Sequence, residues 1–152
     1  MQVEIVPTLP EHIAELRHAL RDADLAELAA FGISPNKSLW FGYKNSLIKR
    51  TALVDGKVAA IWGCGGAPLA GKGTPWLLTS NVCELVSSIT FAKIYKKEVQ
   101  MMLKIFPKLE NIVDSNYGKS IRMLKIIGFN IGDPAPSGNR GAMFRAFSME
   151  AA

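Results

Sequence analysis

The spacing of apolar residues changes along the chain, and each change predicts a new element of secondary structure. A short apolar run from Val3 to Val6 predicts a first strand. Apolar residues then recur every three or four positions, which predicts a helix that begins near Pro10 and is capped by Thr8. The buried face of this helix is expected to contain Ile13, Leu16 and Leu20.

A second helix is predicted from Leu25 to Phe31. Asp24 followed three residues later by Glu27 is a capping-box variant, in which aspartate replaces the usual serine or threonine. Gly32 is a typical C-terminal stop, since glycine readily adopts the left-handed conformation found there. Two helices are therefore expected to follow the first strand.

The pattern becomes strand-like over residues 38–62. Asp55-Gly56 separates two apolar runs, and both residues tolerate the positive φ of a tight turn, so an antiparallel hairpin is predicted. The glycine-rich stretch 63–74 is expected to be a loop. Pro75–Thr79 is predicted to be the fourth strand.

The longest predicted helix runs from about Ile89 to Phe106. Ser87 or Ser88 can cap its first turn, and Pro107 ends it. Its apolar residues repeat at intervals of three and four, so one face is expected to point toward the core. These residues are Ala92, Tyr95, Val99, Met102, Leu103 and Phe106.

A fifth strand, a helix and a last strand complete the expected order. The strand covers Asn111–Asp114, and the helix covers Lys119–Ile127 and stops at Gly128. The last strand covers Ala142–Met149, where residues alternate in character. No repeat or linker interrupts the chain, so one α/β domain over residues 1–152 is predicted.

Composition supports a single globular domain with a core. The chain has 152 residues, of which 49% are hydrophobic and 20% charged. Its N-terminus lacks a basic segment followed by an apolar run, and no stretch approaches the ~18 apolar residues of a membrane span. We therefore expect a cytoplasmic protein without a membrane association.

Neither cysteines nor histidines predict a metal or redox site. Cys64 and Cys83 lie in separate segments without a CxxC motif, so both are expected to be reduced, buried thiols. His12 and His18 are six residues apart, which places them about 120° apart around a helix. That separation does not suit two ligands of one metal.

The formal net charge of +5 and the pI of about 9.3 favour polyanionic ligands. The densest basic group is expected on the long helix, where charge opposite an apolar stripe is ordinary for a solvated face. This group consists of Lys93, Lys96, Lys97 and Lys104. Nucleic-acid binding would rest on charge alone, so it is the weaker alternative.

The segment 66–73 approaches the phosphate-loop pattern GxxxxGK[ST] but does not complete it. Gly73 occupies the position of the required hydroxyl residue, and Pro75-Trp76 continues as a strand where the pattern needs a helix. A nucleotide triphosphatase is therefore excluded. The loop is interpreted as a flexible connection that can border a substrate opening.

The stretch from Leu109 to Phe129 resembles a segment of the GNAT family of N-acetyltransferases. In that family an asparagine after the fifth strand, here Asn116, opens a helix that ends at a Gly-Phe pair, here Gly128-Phe129. The resemblance implies an α/β fold with a mixed, mostly antiparallel sheet flanked by helices. It also implies that strands four and five splay apart and admit acetyl-CoA between them.

The resemblance further implies the residues of a site. Backbone groups of Leu78 and Thr79 on the fourth strand, the helix start at Ser87 and Ser88, and Asn116 would hold the cofactor. Glu84 would be the general base, in preference to the two histidines. Tyr117 would supply the proton to the departing thiolate.

Three positions depart from the family pattern. The loop after the fourth strand usually carries a basic residue and small residues that wrap the pyrophosphate, but Glu84, Ser87 and Ile89 occupy those places here. Leu124 stands where the family often has its tyrosine acid. Binding of the diphosphate is therefore expected to be the most impaired step.

Several short segments, ordered along the whole chain, also resemble a family of phage and prophage proteins described as acetyltransferase-like. They include residues 21–32, Pro75–Leu78 and residues 144–147. Two functions follow. One is transfer of an acyl group from acyl-CoA to an unknown amine. The other is an inactive scaffold for virion assembly or host interaction, and either could form an oligomer of identical chains.

Overall fold

The computed structural model describes residues 1–137 and 141–152, which form a seven-stranded sheet in the order β1-β2-β3-β4-β5-β7-β6. The strands are β1 (Val3–Pro7), β2 (Ser46–Val54), β3 (Lys57–Ala67), β4 (Lys72–Thr79), β5 (Lys108–Asp114), β6 (Asn130–Pro136) and β7 (Met143–Glu150). The helices are α1 (Pro10–Leu16), α2 (Asp22–Ala30), α3 (Pro35–Asn45), α4 (Ser88–Ile105) and α5 (Gly118–Ile127). In these residues no helix is long and apolar enough to span a membrane.

The predicted mixed, mostly antiparallel sheet is confirmed. β4 pairs with β5 in parallel, and the other neighbours are antiparallel. The hairpin turn is also confirmed, with φ of 48° at Asp55 and 80° at Gly56. Gly128 ends α5 as predicted, at φ 118°, and its N–H bonds back to the Leu124 carbonyl.

Helices cover both faces of the sheet. On one face, α4 and α5 pack over a core that includes Trp62, Phe106 and Ile121. On the other face, α1, α2 and α3 pack over a second core that includes Leu16 and Ile61. Because Ile61 and Trp62 are both fully buried, the central strand β3 is covered on both sides.

The expectation of strands from residue 38 onward is wrong, because α3 occupies Pro35–Asn45. Ser34 caps α3 by accepting a hydrogen bond from the Lys37 N–H at 3.2 Å. Gly42 lies inside this helix, where glycine is intrinsically unfavourable, and tertiary packing explains its presence. A Cβ at Gly42 would lie 2.7 Å from Cζ2 of Trp76, so only glycine lets α3 approach β4 here.

The predicted loop 63–74 is also corrected, since β3 continues to Ala67 and β4 begins at Lys72. Only a short 3-10 turn, Pro68–Ala70, and Gly71 connect the two strands. The sequence analysis also missed β6, whose two prolines and one glycine disfavour a strand. β6 is an edge strand, where proline is tolerated because one side of the backbone needs no partner.

Both expected caps in the first two helices are corrected. The Thr8 hydroxyl bonds to the Thr51 hydroxyl at 2.9 Å, and the N–H of Leu9 donates instead to Nδ1 of His12 at 3.0 Å. α2 begins earlier than predicted, with Arg21 at its N-cap. Asp24 therefore lies inside the first turn, and its carboxylate is directed to β4.

The predicted splay between β4 and β5 is confirmed. The two strands pair only at Lys72 with Lys108 and at Gly73 with Leu109. The next β4 residue that faces β5 is Pro75, which has no N–H to continue the ladder. The side chain of Asn111 compensates, since its Nδ2 donates to the Pro75 carbonyl at 2.7 Å and its Oδ1 accepts from the N–H of Ile112 at 2.8 Å.

Replacing Asn111 should destabilise the protein through these two backbone groups. Asn111→Ala leaves the Pro75 carbonyl and the Ile112 N–H without their partner, so the free energy of unfolding should fall by about 1–3 kcal/mol. Urea denaturation measures this change. As a control, Asn45→Ala removes an exposed bond to the Phe41 carbonyl and should cost less than about 0.5 kcal/mol. Equal losses for the two variants would contradict the bridging role of Asn111.

Candidate active site

The edge of β4 that faces the gap has one residue whose backbone remains available. Hydrogen-bonding directions alternate along a strand, so Pro75, Leu77 and Thr79 face the gap while Leu78 faces β3. The Thr79 N–H donates to the Asp24 carboxylate at 3.1 Å, and the Thr79 carbonyl accepts from the Arg21 N–H at 3.1 Å. Leu77 is therefore the β4 residue that can bond to a molecule in the gap.

On the facing edge of β5, backbone groups also have partners outside the sheet. The side chain of Asn111 holds the N–H of Ile112, and the Asp114 carbonyl accepts from the Tyr117 N–H at 2.9 Å. Glu27 on α2 approaches the same edge, where the backbone of Asp114 lowers the pKa of its carboxyl. Side chains and one loop thus replace the missing ladder while the strands remain apart.

Two cavities meet where the strands part. One, the α2–α3 cavity, has a volume of about 520 Å³ and is bordered by α2, α3 and β4. The other, the α4–α5 groove, has a volume of about 630 Å³ and is bordered by α4 and α5. Both are lined by the same junction residues, which are Arg21, Leu77, Thr79, Tyr117, Ser120 and Met123.

The α4–α5 groove is strongly basic. Its cationic lining residues are Arg21, Lys93, Lys96, Lys119 and Arg122. Among the described residues that line it, Glu84 is the acidic one. The N-terminus of α4 also opens into the groove, with Ser87 as its cap accepting from the Thr90 N–H at 3.1 Å. Cations and a helix N-terminus together favour a polyanionic ligand.

The α2–α3 cavity instead contains two carboxylates, Asp24 and Glu27. Burial, joined by the nearby charges of Asp24 and Asp114, raises the pKa of Glu27 to about 7, although hydrogen bonding from the Asp114 backbone opposes the shift. A carboxylate that titrates near neutrality is suited to accept a proton at physiological pH. Glu27 is thus the strongest general-base candidate.

Asp24 has a structural role beside Glu27. It is buried, and its carboxylate accepts from the hydroxyl of Thr79 at 2.8 Å as well as from the Thr79 N–H. Burial raises the pKa of Asp24, whereas the bonds from Thr79 and the charge of Arg21 lower it. Asp24 therefore fixes α2 over the end of β4.

Tyr117 lies at the junction of the two cavities. Its hydroxyl oxygen accepts a hydrogen bond from Nη2 of Arg21 at 2.7 Å. Burial raises the pKa of Tyr117, as does the charge of Asp24, while the charge of Arg21 and hydrogen bonding with Ser120 lower it. Tyr117 consequently keeps its proton at neutral pH and can donate it at the junction.

Arg21, which also lines the junction, has one hydrogen-bond donor without a partner among the described residues. Its buried Nε has no hydrogen-bond partner among the described residues and lies 3.8 Å from Oδ2 of Asp24. A buried guanidinium donor without a partner is costly unless a ligand supplies one. The junction therefore offers the Leu77 backbone to an incoming group, and the Arg21 guanidinium adds positive charge there.

The site residues that were predicted from the sequence lie in different places in the structure. Ser87, Ser88 and Glu84 line the α4–α5 groove, and Leu78 lines the α2–α3 cavity. Asn116 is exposed in a turn, where its N–H donates to the Asp114 carboxylate at 2.9 Å, and it lines neither cavity. Roles in cofactor binding for these residues stay predictions.

The catalytic predictions divide in the same way. Tyr117 lines both cavities, as a proton donor to the thiolate requires. Glu84 is exposed and lies on the groove side, away from the α2–α3 cavity. Leu124 is buried and lines the α2–α3 cavity with an apolar side chain.

Sequence reasoning missed Arg21, Glu27, Lys119 and Arg122. Glu27 was assigned to a cap, although its spacing from Asp24 places both carboxylates on one helix face. The basic residues of the groove occur as pairs three apart on two helices, Lys93 with Lys96 and Lys119 with Arg122. The sequence alone does not show that these two pairs line one groove, because that depends on how α4 and α5 pack against each other.

Solved structures resemble the chain over nearly its whole length. An acetyltransferase of the GNAT family from Streptococcus pneumoniae matches with a TM-score of 0.67 and 12% identity, covering 99% of this chain and 100% of that one. The ribosomal-protein-alanine N-acetyltransferase from Brucella melitensis gives 0.72 and 12%, covering 97% and 99%. AAC(6')-Ib in complex with ribostamycin and coenzyme A gives 0.70 and 11%, covering 99% and 94%.

The chain therefore has the GNAT acetyltransferase fold, as the sequence resemblance predicted. No family model matches the chain, and no curated protein matches it either. At these low identities the likeness shows the fold alone. The activity has to be argued from the two cavities.

The raised pKa of Glu27 predicts a stability effect that is independent of activity. Between the ordinary pKa of 4.5 and about 7 the folded protein binds more protons than the unfolded chain, so stability falls as pH rises through this window. Glu27→Gln removes that cost. Its Tm should exceed that of the wild type at pH 8 by roughly 2–6 °C, and the difference should shrink toward zero at pH 5.

Thermal unfolding at the two pH values tests this expectation. Asp22→Asn serves as the matched control, since Asp22 is exposed on the same helix and should give no gain that grows with pH. If Glu27→Gln gave the same Tm difference at pH 5 and pH 8, the raised pKa of the half-buried Glu27 would be wrong.

Proposed function

We propose that the protein is an acyl-CoA-dependent N-acyltransferase. The observation that supports this most directly is the meeting of a cationic groove and a carboxylate-bearing cavity at the parted strands. A polyanionic donor and a basic acceptor would approach the junction from opposite sides. The solved structure of AAC(6')-Ib, which has the same fold, contains coenzyme A.

The residues of the groove fit coenzyme A. Its phosphates suit the cations of α4 and α5 and the N-terminal amides of α4. Its pantetheine amides suit the backbone of Leu77, which is otherwise without a partner at the gap. The guanidinium of Arg21 adds positive charge at the junction. When bound, the thioester supplies an acyl carbon that is activated toward an amine.

The residues at the junction then have separate tasks. Glu27 accepts a proton from the acceptor amine. The N–H of Leu77 is a donor for negative charge that develops on a carbonyl oxygen, and Arg21 adds positive charge nearby. Tyr117 holds a proton that the departing sulfur can take.

The impaired binding of diphosphate that the loop sequence predicts is offset by other residues. Glu84 and Ile89 do occupy the groove, but five cationic side chains share it. These cations come from helices rather than from the loop after β4. Loss of the usual loop pattern therefore does not by itself argue against the cofactor.

The alternative is a phage-derived scaffold without turnover, and its phage origin rests on sequence resemblance alone. A scaffold does not require a carboxylate with a pKa of about 7 in a cavity that joins a cationic groove. Such a group lowers stability above neutral pH. In acyl transfer this carboxylate would act as the general base, so we favour the acyltransferase over the scaffold.

Binding of coenzyme A tests the groove directly. Lys119→Ala combined with Arg122→Ala removes two of its cations, so the Kd for coenzyme A should rise by about tenfold to a hundredfold. Isothermal titration calorimetry measures the change. Lys97→Ala is the control, since Lys97 is exposed on α4 and is not a lining residue, and it should change the Kd less than about threefold. Absence of binding to the wild type at millimolar coenzyme A would refute the proposal.

Tyr117→Phe separates proton donation from binding. The loss of the phenol should lower kcat by about a hundredfold, while the Kd for coenzyme A stays within about threefold of the wild type. Thiol release from acetyl-CoA in the presence of a mixture of primary amines reports the rate. Tyr43→Phe, which changes a tyrosine outside both cavities, should leave the rate unaltered. A fully active Tyr117→Phe variant would remove Tyr117 from the mechanism.

A further inference from the structure

We propose that the acceptor is a small primary amine with an aromatic or similarly broad apolar body, which the α2–α3 cavity holds with its ammonium at Glu27 and its body against Phe31, Phe41 and Trp76. This inference rests on the proposed acyl transfer. The inference specifies the class of acceptor, which the fold and the gap between β4 and β5 do not determine.

The size of the cavity suits a small molecule. Its volume of about 520 Å³ falls within the roughly 300–1,000 Å³ of sites that bury small ligands. The inner end is the junction, where Tyr117 and the backbone of Leu77 lie. A ligand that fills the cavity therefore places one end beside the reacting groups.

The outer wall is apolar and partly exposed to water. Phe41 is 69% exposed and Ile33 is 43% exposed, although both line the cavity. Phe31 lines it as well and is held in place by its ring contact with Phe144, at 4.6 Å between centroids. A ligand with an apolar body would cover this surface and gain the hydrophobic contribution.

Trp76 forms a rigid part of the same wall. Its indole N–H donates to the hydroxyl of Ser46 at 2.8 Å, so the ring has its polar group satisfied. The ring is packed so closely against α3 and β3 that a Cβ at Gly42 or Gly63 would lie within 2.8 Å of it. Trp76 is thus a fixed apolar surface rather than a hydrogen-bonding residue for the ligand.

The inner wall selects for positive charge. The Asp24 carboxylate is committed to Thr79 and to the charge of Arg21, whereas the charges that act on Glu27 are the carboxylates of Asp24 and Asp114. An ammonium at Glu27 would stabilise the carboxylate form. Conversely, the cations of the α4–α5 groove disfavour an ammonium on that side, so charge directs the two substrates to different cavities.

The proposed reaction balances in protons and electrons. Glu27 takes one proton from the ammonium and passes that proton to solvent. The nitrogen lone pair then forms the C–N bond at the acyl carbon, and the C–S bond breaks with its electron pair on sulfur. Sulfur receives the Tyr117 proton, and the second proton lost by nitrogen restores the phenol. The products are an amide, a thiol and one released proton.

The test compares four probes with the wild type in the presence of acetyl-CoA. They are 2-phenylethylamine, n-butylamine, 2-phenylethanol and a blocked tripeptide with a central lysine. We expect kcat/KM for 2-phenylethylamine to exceed that for n-butylamine and for the lysine peptide by about tenfold or more, since the ring buries additional apolar area. 2-Phenylethanol, which lacks the ammonium, should neither react nor compete at the same concentration.

Two variants assign this preference to the named residues. Phe41→Ala should raise the KM for 2-phenylethylamine by about tenfold and leave that for n-butylamine within about twofold. Glu27→Gln should lower kcat/KM by about a hundredfold and abolish the rise in rate near pH 7. Leu69→Ala and Asp22→Asn are matched controls, an exposed apolar residue and an exposed carboxylate outside both cavities.

The results distinguish this inference from the proposed function. If coenzyme A does not bind, acyl transfer itself fails. If coenzyme A binds but n-butylamine or the lysine peptide is used as well as 2-phenylethylamine, the acceptor class is wrong while the transfer reaction stands. An unchanged KM in a folded Phe41→Ala variant would likewise overturn the assignment.

Discussion

The site depends on a single constraint, the missing N–H of Pro75. Without that donor the parallel ladder between β4 and β5 ends after two backbone pairs. Buried backbone groups must then find other partners, and Asn111, Asp24 and one loop provide them. Their positions leave the backbone of Leu77 as the β4 group that faces an open gap. The same bonds that stabilise the splayed sheet therefore determine where a ligand can pair with it.

α2 keeps the parted strands at a fixed separation. Asp24 attaches it to Thr79 at the end of β4, and Phe31 packs on Phe144 of β7, which pairs with β5. This arrangement brings Glu27 against the end of β5, where burial and neighbouring carboxylates raise its pKa. An ionised Glu27 lowers stability, and such local costs are common where a residue has a chemical role.

The sequence predicted the order of most elements because their signals are local. The Asp55-Gly56 turn and the Gly128 stop follow from backbone conformation, which neighbouring residues hardly alter. α3 was missed because most of its residues were included in a segment interpreted as strands; its interior Gly42 has a tertiary cause, the close contact with Trp76. The splay came from family resemblance, but the available backbone of Leu77 follows only from the hydrogen-bonding direction of β4. Glu27 was missed because burial, which sequence does not reveal, raises its pKa.

Under the proposed acyl transfer, the separation of charge would let one gap serve two substrates. Both cavities open onto the junction, so their shapes alone would not keep a polyanion and an ammonium apart. The cations on α4 and α5 and the carboxylates on α2 lie on opposite sides of the parted strands. In the proposed reaction, each side would therefore attract one substrate and repel the other. Arg21 lines both cavities, and its guanidinium bonds to the Tyr117 hydroxyl and faces the charge of Asp24. In the proposed reaction, Arg21 would therefore link the charge of the cofactor, the charge of the acceptor and the proton of Tyr117 at the point where the new bond forms.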